Sequence, residues 1–221
     1  MASLYLRSDV VKKFTVLFFT TSLILMVVIL SGCATRKNNE IGLADLTSAQ
    51  QDIINLLTTD LHEVFIFNYQ LDNTFDTVDF WIEVYAYGEL VESLAALSFG
   101  HGSARSPLNG QLSVTISYDA HKNFRWAFVV EEDGFRGTSI TDFTFNTENV
   151  GNMPRSHGPT PESVSIQAGR DIILHTTKFH SGNIVNFDDS RGSQDYIDQP
   201  ELLIEYPYVI FIKARFSNPI Q

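Results

Sequence analysis

The sequence predicts a mainly β protein: an antiparallel β-sandwich, with a jelly roll as one version of it, and a short N-terminal amphipathic helix. From residue 63 onwards, apolar and polar residues alternate in about nine short segments, which is the period of half-buried strands. Residues that favour turns, mainly glycine, proline, asparagine and aspartate, separate these segments. Polar residues at every second position leave one face of each strand for solvent, which argues against a buried parallel sheet.

The helix is predicted around residues 46–61. Thr47 or Ser48 can cap its first turn, and a glutamine at 50 or 51 can complete a capping box. Apolar residues then recur at helical spacing, at Ile53, Ile54, Leu57 and Leu61. They give the helix one apolar face, which we expect to lie across the end of a sheet.

The first strands are predicted at residues 63–71, 80–87 and 90–99, and the last two form a hairpin that turns at Tyr87-Gly88-Glu89. A loop at 100–110 precedes a second hairpin, which pairs residues 112–118 with 124–130. Another strand is predicted at 139–145. The expected inward residues are every second one, and they include Phe67, Tyr69, Val114, Ile116, Phe124, Trp126 and Phe128.

The last third of the chain alternates loops with strands. Residues 146–161 have no periodicity and are predicted as a long loop. Residues 163–168 and 171–179 are predicted as a hairpin that turns at Gly169-Arg170. A polar stretch at 181–200, a short strand at 202–206 and a final strand at 208–216 complete the chain. We predict one domain over residues 46–221; two small domains, 46–145 and 162–221, are the alternative.

The leader is the most specific part of the sequence. Three basic residues precede an uncharged run at 14–30, and the run closes with Leu30-Ser31-Gly32-Cys33. This arrangement resembles the lipobox signal peptide of bacterial lipoproteins. The resemblance implies that residues 1–32 are removed and that Cys33 is lipidated with a palmitate-bearing diacylglyceryl group. The polar residues that follow the cysteine predict a flexible tether over residues 33–45. An uncleaved membrane helix is the alternative, since the run has the minimum length that crosses a bilayer.

The lipobox implies a location as well as an anchor. We expect the protein on the extracytoplasmic face of the cell membrane, with a Gram-positive source favoured. In a Gram-negative source it would lie on the periplasmic side of the inner or outer membrane. Beyond the lipobox, the chain resembles the small uncharacterised lipoproteins of Gram-positive bacteria in general appearance only. Cys33 is the only cysteine. The mature domain therefore has no thiol nucleophile, no cysteine-ligated metal and no disulfide.

The net charge of the chain argues against negatively charged partners. The formal net charge is −11, and the leader is basic, so the mature chain is more acidic still. Such a chain is repelled by nucleic acid and by anionic lipid surfaces. Solubility explains the acidity, with binding of a cation or of a basic partner as the alternative. The hydrophobic content of 44% argues against disorder.

Candidate ligand-binding residues are Trp81, Glu83, Tyr85 and Tyr87, which share one face of a predicted strand. Aromatic rings stack on sugars, and a carboxylate accepts hydrogen bonds from hydroxyl groups. The alternative is that Trp81 and Tyr85 cover the core while Glu83 lies at its rim. No metal site is predicted, and the weak candidates for one are His175, His180, Asp188 and Asp189. His175 is expected to share a strand face with Ile173, Thr177 and Phe179.

No catalytic residues are predicted, because the sequence has neither a Gly-x-Ser-x-Gly elbow nor a phosphate-binding loop. The favoured function is a non-catalytic binding or interaction module for an envelope protein, a peptide or a glycan, with no cofactor beyond the lipid on Cys33. One alternative is a carbohydrate-directed surface hydrolase on a jelly-roll scaffold, with carboxyls such as Glu83, Glu131 and Glu132. The other is an envelope-maintenance or immunity protein without a small ligand.

Overall fold

Two antiparallel sheets pack face to face and form a β-sandwich, as the alternating pattern predicts. The computed structural model describes residues 39–58, 62–72, 75–100, 108–118, 123–132, 135–145, 150, 153–182 and 193–218. The lipobox and the leader lie outside these residues. Among the described helices, none has both the length and the apolarity needed to span a bilayer.

The first sheet contains six strands in the order β7-β6-β5-β2-β1-β9. Its members are β1 (Glu40–Leu43), β2 (His62–Leu71), β5 (Leu108–Tyr118), β6 (Asn123–Glu132), β7 (Phe135–Thr144) and β9 (Val164–Ser165). The strands β5, β6 and β7 pair in sequence order, as the second predicted hairpin requires. All pairings in this sheet are antiparallel.

The second sheet contains five strands in the order β4-β3-β11-β10-β8. Its members are β3 (Thr77–Ala86), β4 (Glu89–Gly100), β8 (Arg155–Pro159), β10 (Asp171–Phe179) and β11 (Tyr208–Ser217). The predicted turn between β3 and β4 is present. Tyr87 and Gly88 both have positive φ angles, as a two-residue hairpin turn of this hand requires.

The core lies between the two sheets and is rich in aromatic side chains. Residues predicted to point inward are buried at alternate positions along β2, β3, β5 and β6. The largest fully buried side chains include Phe67, Phe80, Trp126, Phe128 and Phe216. The period-two pattern therefore predicts correctly which faces of these strands meet.

A second, smaller cluster covers part of the outer face of the second sheet. A short helix, α2 (Asp195–Asp198), and a 3-10 helix (Pro200–Glu205) follow β10 along the chain. They place buried side chains against the outward-facing residues of β10 and β11, in a cluster of Ile173, Tyr196, Leu203, Tyr206, Val209 and Phe211.

The N-terminal helix α1 (Ser48–Leu57) has the predicted capping box. The Thr47 hydroxyl accepts from the Gln50 amide at 3.3 Å, and the Gln50 side chain accepts from the Thr47 amide at 2.9 Å. Ile53, expected on the apolar face, is 57% exposed. The capping box therefore determines where this helix begins. Ile53, on its apolar face, is mostly exposed to solvent.

Four other predictions differ from the structure. Residues 40–43, predicted as tether, form β1, because they hydrogen-bond between β2 and β9. Residues 155–159, predicted as loop, form the edge strand β8. The predicted hairpin of 163–168 with 171–179 is wrong, since β9 and β10 belong to different sheets. The predicted strand at 202–206 is a 3-10 helix, which begins at Pro200, a residue well suited to a first helical turn.

Candidate functional site

A shallow groove of about 520 Å³ lies on the outer face of the second sheet. We call it the outer groove. Its walls come from β3, β4 and β11, and they include Asp79, Trp81, Glu83, Ala95, Ser98 and Arg215. Two of the four ligand-binding residues predicted from the sequence, Trp81 and Glu83, line it. The groove combines one large aromatic ring with hydroxyl, carboxylate and guanidinium groups, a combination suited to a polar ligand with an apolar face.

Small residues on β4 create the groove. Trp81 lies opposite Ala95, and Glu83 lies opposite Ser93, so the bulky side chains of β3 have short neighbours. The pairing shifts register between Phe80 and Trp81, which leaves Ala96 without a partner in the ladder. Such a bulge bends a strand and redirects its side chains. Sequence and strand geometry together therefore leave open space beside the Trp81 ring.

A hydrogen-bonded network holds the groove residues in place. Glu83 accepts from the Trp81 indole at 2.8 Å and from the Tyr85 hydroxyl at 2.7 Å. Its Oε2 also lies 2.6 Å from Nζ of Lys213. Burial alone would raise the pKa of Glu83, but the hydrogen bonds from Lys213, Trp81 and Tyr85 and the positive charge of Lys213 hold it below its ordinary value.

Arg215 contacts both Asp171 and the Trp81 ring, and so extends this network. Its guanidinium lies 2.5 Å from Oδ1 of Asp171 and 5.2 Å from the centre of the Trp81 ring. The same carboxyl group of Asp171 lies 3.7 Å from Nζ of Lys213. Charge-assisted contacts and a cation–π contact thus fix the orientation of the indole.

The other two predicted residues lie outside the groove lining. Tyr85 turns its ring towards Phe211, at 5.6 Å between centres, and so joins the smaller cluster. Tyr87 is 59% exposed in the hairpin turn. Asp79 and Arg215 are not among the residues predicted from the sequence. Asp79 lies two residues before Trp81, so the alternating pattern places it on the same strand face. Arg215 lies on β11, and its place beside Trp81 depends on the pairing of β11 with β3, which the local pattern does not predict.

A cluster of three metal-ligating residue types lies at the side of the sandwich, between the sheets. Glu63 comes from β2, while His157 and His175 come from β8 and β10. One ligand atom from each residue lies within 4.8 Å of the other two. Oε2 of Glu63 is 2.9 Å from Nδ1 of His157 and 3.8 Å from Nε2 of His175. We call this the Glu63 cluster.

A β-bulge orients His175 into this cluster. Ile173 pairs with Lys213 and His175 pairs with Ile212, so Leu174 is an extra residue in β10. The expected common face of Ile173 and His175 is therefore wrong: Ile173 belongs to the outer cluster, and the His175 ring lies 4.7 Å from that of Phe65 on the facing sheet. Thr177 and Phe179 follow the bulge and are buried, as His175 is.

The protonation of the cluster follows from burial and charge. Burial lowers the pKa of His175 to about 3, and the nearby His157 acts in the same direction while Glu63 opposes it. Burial would raise the pKa of Glu63, but the contacts with His157 and Tyr118 and the histidine charges hold it below its ordinary value. At neutral pH the cluster therefore contains a carboxylate and, at His175, a neutral imidazole.

The remaining weak metal candidates lie elsewhere. His180 is not part of the Glu63 cluster; its Nε2 is 3.0 Å from the Ser156 hydroxyl, and its ring lies 5.4 Å from that of Tyr206. Asp188 and Asp189 lie outside the described residues. Glu63 and His157 are not among the residues predicted from the sequence, because neither has a metal-binding motif around it.

The family model of the YgaN domain matches residues 40–216, from the first strand to the last. No curated protein and no solved structure matches the chain.

Proposed function

The chain belongs to the YgaN domain family, and from that premise we propose that it is a lipid-anchored extracytoplasmic lipoprotein whose domain is a non-catalytic binding module. The family match begins at residue 40, so the lipobox and Cys33 precede the matched region rather than forming part of it. A basic start, an apolar run and a correctly framed cysteine form a signal of their own. The supporting observation for the anchor is therefore the sequence from Arg7 to Cys33.

The proposed anchor would keep the module near a membrane. Two acyl chains on Cys33 hold a protein on a bilayer far better than one, at roughly 0.8 kcal/mol per buried methylene. Six residues, and so seven Cα–Cα steps, separate Cys33 from Glu40, where β1 begins. A fully extended chain covers about 3.5 Å per residue, so the connection would span no more than about 25 Å.

The outer groove supports the binding role, and we propose an oligosaccharide as its ligand. The Trp81 ring offers an apolar surface for a sugar ring, while Asp79, Ser98 and Arg215 offer polar groups for its hydroxyls. The volume of about 520 Å³ is in the usual range for small-ligand sites. Because Glu83 and Arg215 already fix the indole, little side-chain entropy is lost when a ligand binds.

The contacts of Glu83 favour binding over hydrolysis at this carboxylate. A general acid must hold a proton and reach the scissile bond. Both oxygens of Glu83 instead accept hydrogen bonds from neighbouring side chains, and its pKa is held below the ordinary value. Glu83 therefore acts as a support for Trp81.

The binding proposal is tested by probing the full chain, purified in detergent, against an array of bacterial envelope oligosaccharides. We expect retention of a subset of glycans and at least a tenfold loss of affinity in Trp81→Ala. Tyr87→Ala is the matched control, because Tyr87 is an exposed aromatic residue two positions beyond Tyr85 and outside the groove lining. Binding that survives Trp81→Ala, or no binding at all, would contradict an oligosaccharide site in the outer groove.

The anchor is tested separately in cells. Radiolabelled palmitate should be incorporated into the wild type and not into Cys33→Ser, and globomycin should cause the unprocessed precursor to accumulate. Mass spectrometry of purified material should find Cys33 at the N-terminus. A purified protein that retains residues 1–32 would refute the lipoprotein assignment without bearing on the groove.

A further inference from the structure

The Glu63 cluster is independent of the outer groove, because it lies between the sheets rather than on the outer face. We propose that Glu63, His157 and His175 bind one divalent transition-metal ion, and that zinc fits this donor set best. Two imidazole nitrogens and one carboxylate oxygen form a ligand set that zinc and other divalent transition metals accept. Three protein ligands leave one position of a tetrahedral zinc ion for water or another small ligand.

The distances suit one ion with small side-chain adjustments. Ligands at about 2.0–2.1 Å from a tetrahedral zinc ion lie about 3.3 Å from one another. The carboxylate oxygen of Glu63 lies 2.9 Å from the His157 nitrogen and 3.8 Å from the His175 nitrogen. These two values bracket the tetrahedral spacing, and the two histidine nitrogens lie within 4.8 Å of each other, so the three atoms need to move closer together to surround an ion.

Two buried atoms of the cluster lack a hydrogen bond in the described part of the chain. Nε2 of His175 and Oε2 of Glu63 have no hydrogen-bond partner among the described residues. The His157 nitrogen is near enough to Oε2 for an ion pair, but it does not meet hydrogen-bond geometry. A buried polar atom without a partner is rare in native proteins and calls for a ligand, a water or an ion. A metal bound here would satisfy both atoms at once.

The other oxygen of Glu63 is supported in the way that ligating carboxylates usually are. Oε1 accepts a hydrogen bond from the Tyr118 hydroxyl, and the guanidinium of Arg155 lies 3.8 Å from the centre of the Tyr118 ring. Hydrogen bonds to the non-ligating atoms of a first ligand fix its orientation and raise metal affinity. This support leaves Oε2 as the oxygen directed at the two histidines.

The Glu63 cluster is open to solvent at one edge and lies where the two sheets meet. The side chain of His157 is 37% exposed on the edge strand β8, whereas that of His175 is 1% exposed. An ion can therefore enter from the edge and reach the buried imidazole. Because Glu63 belongs to the first sheet and both histidines to the second, a bound ion would link the two sheets.

A simple ion pair between His157 and Glu63 is the competing explanation of the cluster. It accounts for the 2.9 Å contact but gives Nε2 of His175 no partner. The two explanations differ in what His157 contributes. In the ion-pair explanation no metal binds, whereas in ours His157 is the ligand whose removal leaves the sandwich folded and the ion unbound.

The experiment measures zinc binding by the full chain, purified in detergent and treated with a chelator. Isothermal titration should give one zinc ion per chain, and Co²⁺ in its place should give the visible absorption of a four-coordinate site. His157→Ala should weaken zinc binding at least tenfold, because even the loss of a supporting residue beyond the ligands costs about 10–100-fold in affinity. His62→Ala is the matched control, since His62 is an exposed histidine next to Glu63 that contacts Ser117 instead.

Far-UV circular dichroism shows whether each variant is folded. Glu63→Gln is a second test, because it removes the charge of the carboxylate and preserves the size of the side chain. One-to-one binding that is lost in His157→Ala and Glu63→Gln and kept in His62→Ala supports the site. Absence of zinc binding by the folded wild type overturns it. Equal binding by the folded wild type and His157→Ala also overturns it, because the ion would then lie elsewhere.

Discussion

Tyr69 lies directly opposite Gly110 on the neighbouring strand, and its phenol ring passes over this glycine. Its hydroxyl reaches Glu132, which pairs with Gly110 from the other side, and donates a hydrogen bond to that carboxylate. A Cβ atom at position 110 would overlap the Tyr69 ring. Glycine therefore opens the path through which a buried tyrosine on β2 reaches a buried carboxylate two strands away.

Replacement of Gly110 by alanine should destabilise the protein. The Tyr69 ring would have to move, which breaks a hydrogen bond to a buried carboxylate and strains a packed core. We expect a loss of roughly 2–4 kcal/mol in the free energy of unfolding, from the usual costs of such hydrogen bonds and of overpacking. Urea unfolding followed by tryptophan fluorescence measures it.

Gly158→Ala is the matched control for this substitution. A Cβ at position 158 would meet no atom within 4 Å, and the glycine lies in the edge strand β8. We expect its free energy of unfolding to stay within about 0.5 kcal/mol of the wild type. Equal losses in both variants would show that the Tyr69 ring is not what excludes a side chain from position 110.

The ion pair of Glu83 with Lys213 should make stability depend on pH. The pKa of Glu83 is lower in the folded state than its ordinary value of 4.5, so the folded protein binds fewer protons than the unfolded chain below about pH 5. The resulting stability is fully present above this range and is lost as the pH falls through the lowered folded pKa. Urea midpoints measured from pH 6.5 to pH 3 should therefore decrease with acidity.

Glu83→Gln should flatten this acid dependence and lower stability at neutral pH. Removal of one partner of a buried ion pair leaves Lys213 with the more distant Asp171 among the described residues, at a cost of about 3 kcal/mol. Glu89→Gln, an exposed carboxyl at the start of β4, retains the ion pair and should keep the wild-type dependence. If stability decreased with acidity in Glu83→Gln as much as in the wild type, other groups would be responsible for the pH dependence.

The faces of the strands could be predicted from the sequence, but their partners could not. Alternation along β2, β3, β5 and β6 identifies Phe67, Val84, Ile116 and Phe128 as inward, because the period of two is a local property of the chain. Val164 and Ser165 follow the same period, and the sequence predicts that they pair with the next strand, β10. In the structure they pair with β1 instead, in the sheet that faces β10. Which strands are neighbours depends on contacts that are distant in sequence.

The two candidate sites illustrate the same limit. Trp81 and Glu83 are two positions apart on one strand, so their common face could be predicted. Glu63, His157 and His175 come from three strands of two sheets, and nothing in the local sequence links them. The bulge at Leu174 adds a second obstacle, since one extra residue decides whether His175 points outward or between the sheets.

A larger side chain at Ala95 should block the outer groove without disturbing the fold. Ala95 lies opposite Trp81 and lines the groove, and its side chain is exposed. Ala95→Leu should weaken oligosaccharide binding at least tenfold in the same array, while stability changes by about 0.5 kcal/mol or less. Thr138→Leu places the same side chain on the exposed face of β7 and should bind as the wild type does. Unimpaired binding by Ala95→Leu would place the ligand elsewhere.

Zinc should raise the thermal stability of the protein, because the Glu63 cluster joins the two sheets in the folded state only. A ligand at 100 times its dissociation constant stabilises the folded state by about 2.7 kcal/mol. Differential scanning calorimetry should therefore show a higher Tm with zinc than with a chelator. The shift should vanish in His157→Ala and persist in His62→Ala. An equal shift in both variants would show that zinc acts at another position, whereas loss of the shift in His157→Ala alone locates the stabilising ion between β2 and the β8–β10 pair.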